Sequence, residues 1–401
     1  MSWEKRKLSD VATLIRGVTF AKAEGVDRPD NGRVPVIRAG SIQKTLLVND
    51  GQIWVPQEKV KPHQLIKEND ILMCTSSGSS DLVGKCAKSD ADYDVSFGAF
   101  CAGIRPDLAK VSPSYLYHFL CSPTFKNWTR NSSGANIKNI RASELAEFEI
   151  PLPPLDEQKR IAAILDKADA IRQKRKQAIA LADEFLRSVF LEMFGDPVTN
   201  PKEWEVKNLS DFYVDSKNGT KCGPFGSALK KEEFVETGIP VWNMDNISLN
   251  GVFFDSPKLW ITPEKYEEIS SYSVEHGDVI ISRAGTVGKM GVVRSVHEKS
   301  LISTNLIRVR FSEQLLPEYF VALMTYCRGR VGRLKTGPDG SFTHMNTGIL
   351  DKLEFPYPPL PLQQKFVQIL DDVNAYIEKQ EDKKIETLFA SLSQKAFSGQ
   401  L

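Results

Sequence analysis

Ile150-Pro151-Leu152-Pro153-Pro154-Leu155 and Phe355-Pro356-Tyr357-Pro358-Pro359-Leu360 are the same hinge written twice, and each runs directly into a long helical pattern. Working outward, Trp3-Glu4-Lys5-Arg6-Lys7-Leu8-Ser9-Asp10 returns as Trp204-Glu205-Val206-Lys207-Asn208-Leu209-Ser210-Asp211. The repeat length is about half the chain. Solenoid units recur every ~20–50 residues, so this is a duplication of a whole domain plus helix, not a solenoid. The offset between copies drifts from 201 at Trp3/Trp204 to 208 at Asp70/Asp278 and returns to 205 at Pro154/Pro359. Such drift means loops of different length on a kept scaffold. Diverged loops suit a protein that reads two different half-sites of a long polymer.

The helical pattern over 156–194 places Ile161, Ile164, Ala168, Ile171, Ala178, Ala182, Phe185 and Val189 on alternating steps of three and four, with Arg175 the one polar interruption, a heptad seam. At ~1.5 Å per residue that helix spans ~58 Å. Gly195-Asp-Pro197 stops it. The second copy, about 362–397, keeps Phe366, Ile369, Leu370, Val373 and Tyr376, but its later seam is more polar at Gln380, Lys383 and Thr387. Its Ser391-Leu-Ser-Gln-Lys-Ala-Phe397 matches Ser188-Val-Phe-Leu-Glu-Met-Phe194. Two long helices with matching seams are expected to pack on each other, antiparallel, with a globular module at each end.

Inside each half the pattern is mixed. Val34-Pro-Val-Ile-Arg38, Asp70-Ile-Leu-Met-Cys74 and Phe97-Gly-Ala-Phe-Cys-Ala-Gly-Ile-Arg105 read as short strands bounded by Gly, Pro and Ser. Their partners are Ile239-Pro-Val-Trp-Asn243, Asp278-Val-Ile-Ile-Ser-Arg283 and Thr304-Asn-Leu-Ile-Arg-Val-Arg-Phe311. Pro113 and Pro317 open helices, where proline's missing N–H costs nothing. The predicted class is α/β: two homologous mixed domains, 1–150 and 197–355, separated by hinge-and-helix segments 151–196 and 356–401. The two helices form an antiparallel coiled coil with pseudo-two-fold symmetry. Trp3, Trp54, Trp204 and Trp260 recur at matched positions and read as core.

Composition narrows the function classes. The net charge of +1 argues against a uniformly basic nucleic-acid coat, so a DNA face must be a local patch balanced by acid elsewhere or be supplemented by a partner. The chain has no run of 18 apolar residues and no apolar N-terminal stretch, which predicts a cytoplasmic protein without a membrane span. Cysteines 74, 86, 101, 121, 222 and 327 form no CxxC pair and read as reduced structural thiols. Histidines 63, 118, 276, 297 and 344 offer no HExxH or nuclease-like pair, and no metal site is expected. Gly78-Ser-Ser-Asp-Leu-Val-Gly84-Lys85-Cys86 imitates a phosphate loop, but Cys stands where Ser or Thr would hold Mg²⁺. Gly285-Thr-Val-Gly-Lys289-Met fails likewise. With no Asn/Asp-Pro-Pro-aromatic segment and no Gly-rich cofactor loop, no catalytic residue is expected.

The duplicated Pro151-Leu-Pro-Pro-Leu-Asp-Glu-Gln-Lys-Arg-Ile161, its partner Pro358-Pro-Leu-Pro-Leu-Gln-Gln-Lys-Phe366 and the Lys395-Ala-Phe-Ser-Gly-Gln-Leu401 ending carry a resemblance over essentially the whole chain. With the strand-loop segments 70–85 and 278–289, they make the chain similar to the specificity subunit of type I restriction–modification systems. The resemblance implies a non-catalytic subunit whose two target-recognition domains each bind half of a split double-stranded DNA target. The helices would set the spacer and dock modification subunits, two of them expected. Those partners would carry S-adenosylmethionine, and restriction subunits joining the complex would bring ATP and Mg. The alternatives are a specificity subunit for a modification-only or other two-component methyltransferase system, and a coiled-coil adaptor that binds no DNA.

Two pairs of loops are candidate DNA contacts. Ser76, Ser77, Ser79, Ser80 and Lys85 in the first copy, and Arg283, Thr286 and Lys289 in the second, offer small donors and cations. Hydroxyls reach phosphates, and Arg or Lys can read guanine. A plain solvated turn fits these loops equally well. The loops entering the hinges add Asn136 and Lys138, and Arg333, Lys335 and His344, with a flexible capping loop as the competing reading. Ile161, Ile164, Ala168, Ile171, Phe185, Phe366, Ile369 and Val373 are the helix-packing candidates; Arg172, Lys174, Arg175 and Lys176 read as a charged helix face.

Overall fold

The computed structural model describes residues 3–78, 82–131, 139–225, 228–327, 345–380 and 383–401, the side chains of 131, 380 and 383–386 excepted. The chain divides into two compact units, residues 1–177 with 381–401, and residues 178–380. Each sequence half therefore supplies most of one unit. The first is completed by the last helix of the chain.

In the first unit the strands are β1 (Lys5–Lys7), β2 (Ala12–Arg16), β3 (Arg33–Ile37), β4 (Ile53–Pro56), β5 (Ile71–Cys74), β6 (Cys86–Lys88), β7 (Ser96–Phe97), β8 (Cys101–Pro106) and β9 (Glu149–Pro151). They form a four-stranded sheet β2-β8-β5-β6, a three-stranded sheet β4-β3-β7 and the pair β1-β9. Among these paired strands only β3 and β7 run parallel. The helices are α1 (Leu8–Val11), α2 (Pro113–Leu120), α3 (Pro123–Asn131), α4 (Ala142–Ala146) and the long α5 (Leu155–Phe194), of which residues 178–194 belong to the second unit.

The second unit repeats that topology strand for strand. Its strands are β10 (Val206–Asn208), β11 (Thr220–Cys222), β12 (Ile239–Trp242), β13 (Trp260–Ile261), β14 (Val279–Ser282), β15 (Met290–Val292), β16 (Leu301–Ile302), β17 (Leu306–Val309) and β18 (Glu354–Pro356). The sheets are β11-β17-β14-β15, β13-β12-β16 and β10-β18, again with one parallel pair, β12 with β16. Its helices are α6 (Pro263–Glu268), α7 (Pro317–Tyr326), α8 (Thr347–Asp351) and α9 (Leu360–Gln380); α10 (Lys383–Ser398) belongs to the first unit.

The central strands β5 and β14 are buried at every position, so they read as unbroken apolar runs and not as alternation. A buried carboxylate precedes each. Asp70 accepts from Arg105 Nε and Nη2 at 2.8 and 2.7 Å and from the Lys67 N–H at 2.9 Å. Asp278 accepts from Arg310 Nε and Nη2, both at 2.8 Å, and from the Glu275 N–H at 2.8 Å. Hydrogen bonding to its aspartate pushes each guanidinium above its ordinary value. The fork locks the end of β8 or β17 to the turn before its neighbour.

The hinge motif now has a physical explanation. Gln158, buried, accepts from the Ser112 N–H at 2.8 Å and donates to the carbonyls of Pro153 and Lys110 at 2.8 and 3.1 Å. Gln363, also buried, accepts from the Leu316 N–H at 3.1 Å and donates to the Pro358 carbonyl at 2.9 Å. Tyr115 and Tyr319 donate their hydroxyls to the carbonyls of Pro151 and Pro356. Proline-rich backbone lacks N–H partners of its own, and a buried amide together with a tyrosine from α2 or its counterpart, the helix Pro317–Tyr326, satisfies its carbonyls.

The helices depart from the expected seam. Ile161 is buried, as are Ala162 and Leu165, while Ile164 and Ala168 are half-buried. Ile171 and Phe185 are 46% and 51% exposed. The buried face resumes at Leu186, Phe190 and Phe194, in steps of four. No apolar residue of α5 between Leu165 and Leu186 is buried. An α-helix drifts against a strict heptad, and here the two ends of α5 bury themselves within the domain cores. In the first unit α5 and α10 run antiparallel: Arg160 donates to the Leu401 carbonyl and Arg172 stacks on Phe389. Phe397 packs edge-on against Tyr115 and Phe119. In the second unit Phe190 and Phe194 meet Tyr319 and Phe366, with Phe366 buried and Ile369 and Val373 half-buried. The four repeated tryptophans are half-buried at domain edges; the fully buried one is Trp242, which the repeat did not mark.

Candidate nucleic-acid interface

In both domains one backbone crossing shapes the surface beside the central sheet. Gly17, at the end of β2, lies so close to Gly98 that a Cβ would collide with its carbonyl oxygen. Gly223, after β11, meets the Ser303 carbonyl in the same way. The loop after β7 is anchored by the Gly98 N–H, which donates to the Ile37 carbonyl at 2.9 Å; in its counterpart the Ser303 N–H donates to the Trp242 carbonyl at 2.8 Å. Glycine is required at this crossing in both copies because two chain segments touch there.

In the first domain this crossing opens into a groove of about 1190 Å³. Its floor and walls come from the loops after β2, β3, β5 and β7, and include Gly40, Gly51, Gly78 and Gly98. Ser76 and Ser77 line it, as does Cys101, whose thiol burial pushes up to about 12, so it stays protonated at neutral pH. The Ser-rich loop is clamped from both sides: the Thr75 and Ser76 N–H groups donate to the Phe100 carbonyl at 2.9 and 3.2 Å, and the Ile140 N–H donates to the Thr75 carbonyl at 2.7 Å. Ser76 also bridges to Asn139. The two candidate loops of this domain therefore meet. Ser79, Ser80, Asn136 and Lys138 lie outside the described residues.

Lys85 sits apart from that groove. Its ammonium donates to Gln43 Oε1 at 2.5 Å, in a depression of about 350 Å³ shared with Lys44, Lys126 and Arg172. Asp169 accepts from Lys44 at 3.1 Å and from Arg172 at 2.6 Å, and among the described residues it is the one carboxylate lining the depression. Burial holds the Lys44 ammonium below its ordinary value, with Arg172 and Lys176 adding to the effect and Asp169 opposing it. Arg172 is thus half-buried and stacked, not part of a solvated helix face; Lys174 and Lys176 are exposed.

In the second domain Arg283, Thr286 and Lys289 occupy one closed turn. Ser282 donates its hydroxyl to the Thr286 carbonyl at 2.6 Å and accepts from the Lys289 N–H at 3.0 Å, while Gly285 and Gly288 take φ of +70° and +87°. Lys289 lines a shallow depression of about 520 Å³ with Asp245, Ser248, Asn250 and Lys258. The Arg283 guanidinium lies over the Phe225 ring, 4.6 Å from its centroid, and its Nη1 is buried without a hydrogen-bond partner among the described residues. Arg333, Lys335 and His344 lie outside the described residues.

Sequence reading missed Arg38, Phe100 and Phe225. Arg38 and Phe100 line the first groove, Arg38 exposed and without an ion pair among the described residues, Phe100 68% exposed. Phe225 is 56% exposed. Exposed phenylalanines at a loop tip have no periodic signature; comparison of the copies at fixed register was the available signal. Among the described residues no cluster of three or more His, Cys, Asp or Glu is placed to hold a metal ion, and no helix is long and apolar enough to cross a membrane.

The fold and grooves define a duplicated α/β binding protein whose copies keep one skeleton and differ at one crossing. The chain belongs to the family described as the type I restriction modification DNA specificity domain, whose model matches residues 1–181 and 201–387. It is 29% identical to the StySPI type I restriction enzyme specificity subunit of Salmonella potsdam, over 100% of this chain and 89% of that one. It is 28% identical to the EcoKI specificity subunit of Escherichia coli K12, over 100% and 89% of the two chains. Among solved structures, the fold is similar to the S subunit of a type I restriction–modification system from M. genitalium, with a TM-score of 0.59 at 17% identity over 99% of this chain and 96% of that one. A chain from a structure of type I R-M complex assembly gives a TM-score of 0.52 at 17% identity, over 100% and 98%.

Proposed function

We propose that this chain is the non-catalytic, DNA-reading specificity subunit of a type I restriction–modification complex, each domain recognising one half of a bipartite double-stranded target. The observation that carries the reading is the pairing of an identical strand topology in both domains with different side chains at the same glycine crossing. A protein reading two different half-sites needs that combination. The groove loops, with Ser76 and Ser77 in one domain and Arg283 and Thr286 in the other, suit base and sugar edges. The cations of the depressions, Lys85 and Lys289 among them, suit phosphates, which position a protein on DNA without specifying sequence.

The long helices set the spacer between half-sites and dock the modification subunits, two per complex. S-adenosylmethionine, ATP and Mg belong to the modification and restriction partners, and the chain works in the cytoplasm beside the DNA. Replacing residues 1–150 by the same domain of a relative tests this reading. Mapping of methylated adenines in DNA modified by the assembled complex should show one half of the target changed and the other kept. A target altered in both halves, or in neither, would refute it.

A further inference from the structure

At the shared crossing each domain carries one arginine and one exposed phenylalanine, but on different loops. The register is fixed by backbone bonds: Gly98 and Ser303 occupy the same place, as do Ile37 and Trp242, and the carbonyls of Phe100 and Asn305 receive the N–H groups of Thr75 and Arg283. Arg38 and Phe100 of the first domain therefore stand where the second has Asn243 and Asn305. Arg283 and Phe225 stand where the first has Thr75 and Thr19. Neither arginine has a carboxylate partner among the described residues, in contrast to Arg33, Lys59, Lys265 and Arg294 on the same domain surfaces.

We propose that Arg38 and Arg283 each read a guanine, Arg38 in the half-site of the first domain and Arg283 in that of the second, with Phe100 and Phe225 as their apolar supports. This rests on the DNA-reading function proposed above. The guanidinium fork matches the paired O6 and N7 acceptors of guanine in the major groove. Arg283 is preorganised to make that contact. The half-buried guanidinium rests 4.6 Å from the centroid of the Phe225 ring, which limits the directions in which its fork can point. Arg38 shares its groove with Lys22, Asp27 and Asp50. A groove with carboxylates in it disfavours phosphate and favours base edges, since aspartate accepts from the cytosine amino group paired with guanine. The glycines lining the groove leave room for a base pair to come close.

The test uses the full chain assembled with its modification subunits, acting on DNA that carries randomised target positions, with methylated adenines mapped by sequencing. Arg38→Ala should relax discrimination at a single G·C pair in one half-site by roughly tenfold to hundredfold, leaving the other half-site intact. Arg283→Ala should do the same in the other half-site. Arg38→Met and Arg283→Met keep the apolar stem without any donor and should relax the same positions. A uniform loss of methylation with the consensus unchanged would mean phosphate contacts and overturn the proposal. So would an unchanged consensus at full activity. A variant with lowered melting temperature is replaced by its methionine counterpart, which must then relax the position or sink the idea. If exchanging residues 1–150 changes half of the target while these variants change nothing, the guanine reading fails and the DNA-reading function stands. If the exchange changes neither half, the function itself fails.

Discussion

The two domains share their strand order, the buried Asp–Arg fork, the buried hinge glutamine and the glycine crossing, yet at that crossing they exchange chemistry. Where the first presents Arg38 and Phe100, the second presents Asn243 and Asn305; where the second presents Arg283 and Phe225, the first presents Thr75 and Thr19. The sites that hold the fold are alike because each satisfies a buried polar group. The sites that differ lie on loops beyond the strand ends, where substitution leaves the sheets intact. The skeleton is constrained by hydrogen-bond satisfaction, and the reading surface is free to vary.

This contrast can be broken by measuring stability at matched positions. The largest effect is expected where the copies differ inside a core. Phe190 is buried against Phe194, Tyr319, Tyr326 and Phe366, while its counterpart at the end of the chain is Ser393. Phe190→Ala should cost about 3–5 kcal/mol in denaturant unfolding. Ser393→Ala should cost about 1 kcal/mol or less. Equal costs would mean that the helix ends are interchangeable.

Next come the buried forks. Arg105→Met and Arg310→Met each strand a buried aspartate and should destabilise by about 3 kcal/mol, the Arg310 change by more because its side chain is less exposed, 19% against 31%. Below these stand the hinge amides. Gln158→Leu and Gln363→Leu each leave backbone groups unsatisfied and should cost about 1–3 kcal/mol, with closely similar values. A large difference between them would show that the two hinges are built differently. The smallest effect belongs to Phe185→Ala, which should stay within about 0.5 kcal/mol because the ring is exposed. A loss of several kcal/mol would restore Phe185 to a packed helix seam.

The sequence showed its duplication wherever a buried requirement repeats. Asp70/Asp278, the Pro-Pro-Leu hinges and the apolar runs of β5 and β14 are legible because the same physics selects the same residue twice. The seam of α5 was less legible. Alternating steps of three and four predicted burial at Ile171 and Phe185, but only the helix ends reach a domain core, at Ile161 and Leu165 and again at Leu186, Phe190 and Phe194. Heptad spacing records which residues share a face and is silent on which stretch of that face has something to pack against. The groove was partly legible: the Ser76 and Arg283 loops stood out by their matched glycines, whereas Arg38 and Phe100 fell inside segments read as strands and Phe225 sits on a loop with no period. Lys85 and Ser76 belong to one motif yet line different depressions, with Gly84 at φ +82° re-aiming the chain just before Lys85.

The closing helix of the first unit has a consequence for how the protein is made. Leu392, Ala396 and Phe397 complete the core that Tyr115 and Phe119 begin, and every residue of the second unit lies between them in the chain. During synthesis the strands of the first unit emerge before the second unit and are sealed after it. While the ribosome makes residues 178–380, the apolar face of α2 has no partner from its own unit's last helix, and late, long-range closure of this kind is slow and prone to association with other chains. A nascent chain arrested before α10 should expose that face, so chaperone demand should fall sharply only when the final helix leaves the exit tunnel.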